Sequence, residues 1–167
     1  SVINSLLKGI EALKPNNHIL VVTGDIPLLS GDAVDSFVAK CTDQNVDMYY
    51  PVVTKEINEE RYPQVKRTYI RLKEGIFTGG NIFLVNPFKV ERCAEKGNEL
   101  ISIRKSPLAL SKQIGLLFIL RFLLRQLSLK EVELQFSKLL GIRGKAVIID
   151  FPEIGIDVDK PSDLELV

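Results

Sequence analysis

The sequence has no tryptophan, one methionine, one histidine and two cysteines in 167 residues. Each scarcity excludes a class of chemistry. The lone His18 precedes an apolar run and has no serine or cysteine partner in view, so a hydrolase triad has no support. Cys41 and Cys93 lie far apart and match no metal or redox spacing, which removes zinc and dithiol chemistry. A reduced, cytoplasmic setting with two buried structural thiols is the simplest reading. No GxGxxG or Walker-type phosphate loop occurs. An excess of one charge sign is missing too. The formal net charge is +1, which gives no basis for binding nucleic acid or an anionic membrane non-specifically. The most apolar run, 114–127, spans 14 residues and contains Arg121 and Arg125. A bilayer span needs about 20 apolar residues, so this run reads as a buried helix of a soluble fold. Residues 1–14 lack a basic leader and a cleavage site, unlike a secretory signal.

What is present is an ordinary globular composition, 46% hydrophobic and 26% charged, in a chain long enough for one full-sized core. Repeats, low-complexity stretches and linkers are absent, which predicts a single domain. Residues 1–14 carry apolar side chains at helical spacing, with Ser1 at an N-cap position. Residues 18–22 form a short continuous apolar run, the pattern of a strand buried on both faces of a parallel sheet. A helix over 31–44 capped by Ser30 and a strand over 46–53 follow. Helix, buried strand, helix, strand is the grammar of an open α/β sheet. The middle holds a short helix near 57–63, an alternating strand over 66–73, a turn at Glu74-Gly75 and a strand over 82–85. Helices are expected over 88–96, 100–110 (interrupted by Pro107), 116–127 and 129–140, with Ser128 as a cap. An apolar strand over 146–149 and a last helix from Pro161 complete the pattern. The stretch 88–143 therefore reads as a helical insert, and its leucine stripes as core or as a dimer face.

Four segments could carry chemistry. Asp25 ends the first apolar strand and is followed at once by Ile26-Pro27. That puts a carboxylate at the C-terminal edge of the sheet, where open α/β folds bind ligands. Magnesium needs only one or two protein carboxylates, because water and substrate oxygens fill its remaining positions. A turn-capping aspartate is the bland alternative. The second segment is Ile154-Gly155-Ile156-Asp157-Val158-Asp159-Lys160-Pro161. Asp157 and Asp159 point to opposite sides of an extended chain, so one of them faces a given pocket, unless Asp159 simply caps the helix at Pro161. The third is Thr78-Gly79-Gly80-Asn81, where paired glycines let backbone approach a ligand closely or merely make a hairpin turn. The fourth is Lys66-Arg67-Thr68-Tyr69-Ile70-Arg71, whose alternation offers a phosphate site on either face or a solvated edge strand.

In combination these segments point to one family. Val21-Val22-Thr23-Gly24-Asp25-Ile26-Pro27-Leu28-Leu29 resembles the "GDxPL" strand end of the nucleotidyltransferases that act on sugar phosphates, molybdopterin and related acceptors. Asp157-Val158-Asp159-Lys160-Pro161-Ser162-Asp163-Leu164-Glu165 is similar to the segment that closes the catalytic domain in that superfamily. Ser1-Val2-Ile3-Asn4-Ser5-Leu6 is similar to the "SVxNGL" helix start of its cytidylyltransferase branch, and Gly79, Gly80 and Asn81 fall where it has an acceptor-side glycine and asparagine. The matches come in the right order along nearly the whole chain, which resembles a MobA-like nucleotidyltransferase.

The resemblance implies a GT-A-like, Rossmann-like fold: a mostly parallel sheet with flanking helices and the helical insert. It implies transfer of a nucleoside monophosphate from an NTP onto a phosphorylated small-molecule acceptor, with Mg²⁺ as cofactor. Asp25 and Asp159 would hold the ion, with Asp157 as the alternative second ligand. Ser1, Thr23 and Gly24 would line the nucleotide, and Lys66, Arg67, Gly79, Gly80 and Asn81 the acceptor. The family's "LAGGxGxRMG" loop and its downstream lysine are absent from these residues. A complete domain of this type would need on the order of 60 further residues before Ser1. The chain thus reads as the C-terminal two-thirds of one such domain, inactive alone. The helical insert departs from the molybdopterin enzymes and leaves the acceptor open. A GT-A glycosyltransferase using a nucleotide-sugar, or a non-catalytic nucleotide-binding or assembly protein, are the alternatives.

Overall fold

The computed structural model describes residues 2–103, 106 and 112–158. In chain order it forms α1 (Val2–Leu13), β1 (Ile19–Val22), α2 (Gly31–Lys40), β2 (Met48–Thr54), α3 (Lys55–Arg61), β3 (Ile70–Leu72), β4 (Gly75–Gly79) and β5 (Ile82–Val85). These are followed by α4 (Pro87–Ile103), α5 (Leu116–Leu123), α6 (Leu129–Leu140), β6 (Gly144–Ile148) and a 3-10 turn at Pro152–Gly155. The expected last helix, from Pro161, lies outside the described residues, as does the expected break at Pro107. Among the described residues no helix is long and apolar enough to cross a membrane.

Local chemistry sets several boundaries as the sequence predicts. The Ser30 hydroxyl accepts from the Ala33 amide at 3.2 Å and opens α2. Ser128 and Glu131 form a reciprocal capping box that opens α6. Other boundaries shift, with α2 ending at Lys40, α3 covering Lys55–Arg61 and β6 Gly144–Ile148, and two of the shifts have a clear tertiary cause. Helix α4 runs through Gly97 instead of stopping before it. A Cβ there would lie 2.7 Å from Ile3 Cδ1, so this glycine allows the close packing of α1 on α4. Helix α5 ends at Leu123, and Arg125 adopts φ 59°. The chain turns there so that Leu127 can plug the core, where it is fully buried and its carbonyl accepts from the Lys73 amide at 2.9 Å.

The sheet is mixed, not mostly parallel. Among the described residues β1 and β5, β5 and β2, β2 and β4, and β4 and β3 all pair antiparallel, and β2 and β6 alone pair parallel. The reason is the placement of β5. It runs opposite to both neighbours and sits between β1 and β2, so the two strands joined through α2 share a direction without touching. The strand expected over 66–73 is also shorter: only 70–72 pairs with β4, and 66–69 is irregular. The supposed two faces of Lys66, Thr68 and Ile70 against Arg67, Tyr69 and Arg71 therefore do not exist over that span.

Strand β2 sorts the core into two layers, because successive side chains of a strand point to opposite faces. Tyr49 and Val53 pack with Phe37, Ala33, Ile82, Ile149 and Ile154 on the side of α2. Val52 packs with Leu72, Phe77 and Leu127, backed by Phe118 and Phe122 of α5 and Leu129 and Val132 of α6. The helical insert thus covers one face of the sheet. Its outer stripe, Leu116, Leu117, Leu120, Leu123 and Leu124, is exposed. Both cysteines are free and only half-buried; burial pushes the Cys41 thiol up to about 11.

Two measurements check this packing. Phe37 is fully buried, so Phe37→Ala should cost about 3–5 kcal/mol in chemical denaturation; a loss below 1 kcal/mol would contradict the α2 layer. Glu131 is held down to about 2, from 4.5, by the Ser128 amide, then by hydrogen bonds from Arg121 and the Ser128 hydroxyl. A lowered folded pKa contributes stability above the unfolded value that is lost as pH falls through the folded one. Glu131→Gln should therefore flatten the fall of Tm between about pH 4.5 and 2 while lowering Tm at neutral pH.

Candidate functional site at the strand ends

Strands β1, β2 and β6 run in one direction, so their C-terminal ends share an edge of the sheet. Three segments meet there. Residues 23–25 leave β1, 79–81 pass from β4 into β5, and 154–158 return after β6. Backbone groups that leave a sheet need new partners, and these segments supply them to one another. The Thr23 amide donates to the Asn81 carbonyl at 3.1 Å, and the Asn81 amide to the Ile154 carbonyl at 2.7 Å. The Val158 amide donates to the Asp25 carbonyl at 2.9 Å, and the Gly80 amide to the Pro51 carbonyl at 3.0 Å. Sequence motifs from three distant parts of the chain are thereby brought to one place.

Gly79 is where the packing is tightest. A Cβ on it would sit 1.5 Å from the Tyr50 hydroxyl oxygen, a space that no side chain could share. Tyr50 is stacked on Phe83, with ring centroids 5.5 Å apart, so it has little freedom to withdraw. Burial pushes its hydroxyl pKa up from the ordinary value, opposed by the nearby Arg67 charge.

Arg67 reaches into this junction from the irregular segment before β3. Its Nη1 donates to the Asp157 carboxylate and its Nη2 to the Gly79 carbonyl at 3.1 Å. Its side chain is 15% exposed and that of Asp157 31%. The Arg67 Nε and the Thr23 hydroxyl are buried without a hydrogen-bond partner. Asp25 and Gly24 are exposed, and Asn81 is half-buried. Lys66 is exposed and stands apart from this network. Ser1 and Asp159 lie outside the described residues. Asp25, Thr23, Gly79, Gly80, Asn81, Arg67 and Asp157 are brought together.

Two residues that sequence reading passed over reinforce the junction. Glu153 is buried; it accepts from the Ser30 hydroxyl at 3.2 Å and pairs with Arg61 at 3.2 Å, tying the starts of α2 and the 3-10 turn to α3. Arg61 is 55% exposed, which keeps the pair from being fully desolvated and moderates its cost. The signal was a single acid inside the apolar run Phe151-Pro152-Glu153-Ile154. Tyr50 carried no signal beyond strand propensity.

The donor set at the edge is all oxygen, and the bond between Val158 and Asp25 sets Asp157 two residues from a second carboxylate-bearing residue. Among the described residues no three His, Cys, Asp or Glu side chains form a ready metal cage. An ion held here would have at most two carboxylates from this edge, Asp25 and Asp157, and the second is already paired with Arg67. At the opposite edge a cleft of about 320 Å³ is lined by Asn17, His18, Cys41, Asp43 and Tyr49 among others. Its main polar groups are already engaged: His18 Nε2 bonds the Val46 carbonyl, and the Tyr49 hydroxyl bonds both the amide and the carbonyl of Asp43.

No protein-family model and no curated protein matches the chain. A solved structure does. It is a hypothetical transferase from Thermus thermophilus, 38% identical, with a TM-score of 0.88 over 98% of this chain and 69% of that one. This chain belongs to that transferase's family. The mixed sheet with its helical layers is accordingly a transferase fold.

In this transferase-family chain the Gly79 contact is directly testable. Gly79→Ala must drive Tyr50 off Phe83 and should destabilise by about 1–3 kcal/mol. Tyr50→Phe removes the closest atom and should restore part of that loss, a non-additive pair in a double-mutant cycle. Full additivity would mean that the two residues do not touch.

Proposed function

We propose that the protein is a nucleotidyltransferase of the MobA-like type, which moves a nucleoside monophosphate from an NTP onto a phosphorylated acceptor and releases pyrophosphate. The observation that carries this reading is the convergence of Asp25, Asp157 and the segment Gly79-Gly80-Asn81 at one sheet edge through the backbone bonds described above. Membership of a transferase family agrees with it.

On this reading the acceptor's phosphate oxygen bonds to the α-phosphorus of the NTP. The bond from that phosphorus to the bridging oxygen breaks, and its electron pair leaves with pyrophosphate. Such a reaction depends on positioning and charge more than on covalent participation by the protein. Asp25 and Asp159 would hold Mg²⁺, with Asp157 the alternative to Asp159. When bound, the ion supplies positive charge against the phosphate oxygens. Thr23 and Gly24 line the nucleotide side, with Ser1 near the base; the buried, unpartnered Thr23 hydroxyl is a donor free for a ligand oxygen. Gly79, Gly80 and Asn81 form the acceptor side, and of the two cationic candidates for its phosphate, Lys66 or Arg67, it is Arg67 that reaches this segment. Transfer takes place in the cytoplasm.

The test is a panel of NTPs with Mg²⁺ against the full-length protein, read by thermal shift and by pyrophosphate release. One NTP should stabilise the protein and support turnover. Asp25→Ala should lower that turnover on the order of a hundredfold or more, while changing stability by no more than about 0.5 kcal/mol because the side chain is exposed. Full activity in Asp25→Ala would overturn the metal assignment. A response to nucleotide-sugars alone would make the protein a glycosyltransferase, and silence from both would favour a non-catalytic nucleotide-binding role.

A further inference from the structure

We infer that Arg67 is a displaceable counter-ion: it holds Asp157 while the site is unloaded and passes to the acceptor's phosphate when a divalent cation takes that carboxylate. This rests on the nucleotidyl-transfer reading of the site, taken with Asp157 and not Asp159 as the cation's second carboxylate, and adds to it an order of events and a positioning role for one residue.

The present contacts of Arg67 are incomplete. A guanidinium offers five donors in a rigid fork. Here Nη1 serves Asp157, Nη2 serves the Gly79 carbonyl, and Nε is buried with no acceptor. A buried donor left unmade destabilises the arrangement that contains it. A phosphate monoester can satisfy two edges of the fork at once, which a single carboxylate oxygen does not.

The segment that carries Arg67 is anchored outside the sheet, by the Asn58 side-chain amide donating to the Tyr69 hydroxyl at 3.0 Å, so a shift of Arg67 breaks no ladder bond. Ladder pairing begins only at Ile70, and before it the described backbone bond is from the Val65 amide to the Tyr62 carbonyl. Pro63, Gln64, Lys66 and Thr68 are exposed. Its partner is differently constrained. Asp157 is tethered through its neighbour Val158 to the Asp25 carbonyl, so that carboxylate stays at the sheet edge when Arg67 leaves.

Charge then makes the exchange directional. The guanidinium and a divalent cation compete for the same carboxylate oxygen, and two like charges side by side repel. Loading the cation frees a cationic fork beside the acceptor segment, which favours a phosphate dianion. Binding of each is thereby coupled to the other, and the coupling is reciprocal. A purely structural Arg67 would brace Asp157 against Gly79 and show no such exchange.

The experiment uses purified protein with Mn²⁺ and glycerol phosphate as separate probes, titrated calorimetrically, with melting curves for every variant. Arg67→Gln should bind Mn²⁺ on the order of tenfold more tightly than wild type, because Asp157 is released. Asp157→Asn should bind glycerol phosphate more tightly without metal, by a similar factor, and only where Arg67 is present. In Arg67→Gln/Asp157→Asn that gain should vanish. Arg67→Met, which keeps the apolar stem, carries the same expectations if the glutamine variant does not fold. Unchanged Mn²⁺ affinity in Arg67→Gln, or an equal phosphate gain from Asp157→Asn in both backgrounds, overturns the exchange while a Mn²⁺ site sensitive to Asp25→Asn still stands. Absence of Mn²⁺ binding in every variant overturns the metal site and the exchange together.

Discussion

Three backbone hydrogen bonds hold the candidate site in being: Thr23 to Asn81, Asn81 to Ile154, and Val158 to Asp25. The first extends the β1–β5 register past Val22 and Ile82, and the other two tie the returning segment to it, so backbone groups beyond the ladder find partners there. Their effect is to turn three loops into one rigid edge. The side chains on that edge, Asp25, Asp157 and Arg67, inherit their positions from it, as ligand-binding groups gain precision when the scaffold beneath them is stiff.

The layers below explain why the edge sits where it does. Strand β5 separates β1 from β2 and starts directly after Asn81, so the segment Gly79-Gly80-Asn81 passes the C-terminal end of β1 while lying beside Pro51 and Val52 of β2. Tyr50 occupies the volume that a side chain at 79 would need, and Glu153 anchors the returning segment to Ser30 and Arg61. The helical insert lies on the other face and supports the sheet through Leu127, Phe118 and Phe122.

Much of this was legible in the residues. The apolar run ending in Thr23-Gly24-Asp25, the paired glycines and the Asp157 segment each announced themselves, and the caps at Ser30 and Ser128 follow from local hydrogen bonding alone. The direction of β5 was not legible, since four apolar residues pair equally well either way and the partner is chosen by the whole sheet. The irregular path of 66–69 was hidden for a similar reason. Its alternation fits a strand, but a long-range ion pair from Arg67 to Asp157 and a bond to the Gly79 carbonyl draw it elsewhere. That the helix expected over 88–96 runs on through Gly97 was hidden too, because the close approach to Ile3 that calls for a glycine there lies in tertiary structure.

The proposed cation site would join all three segments. Paramagnetic broadening of backbone amide signals on adding Mn²⁺ tests it most directly. The amides around Asp25, around Asn81 and around Asp157 should broaden together at the lowest Mn²⁺ concentrations, with those of α1 and α6 unaffected. Broadening confined to one of the three, or centred on an acidic stretch such as Glu59-Glu60, would contradict it.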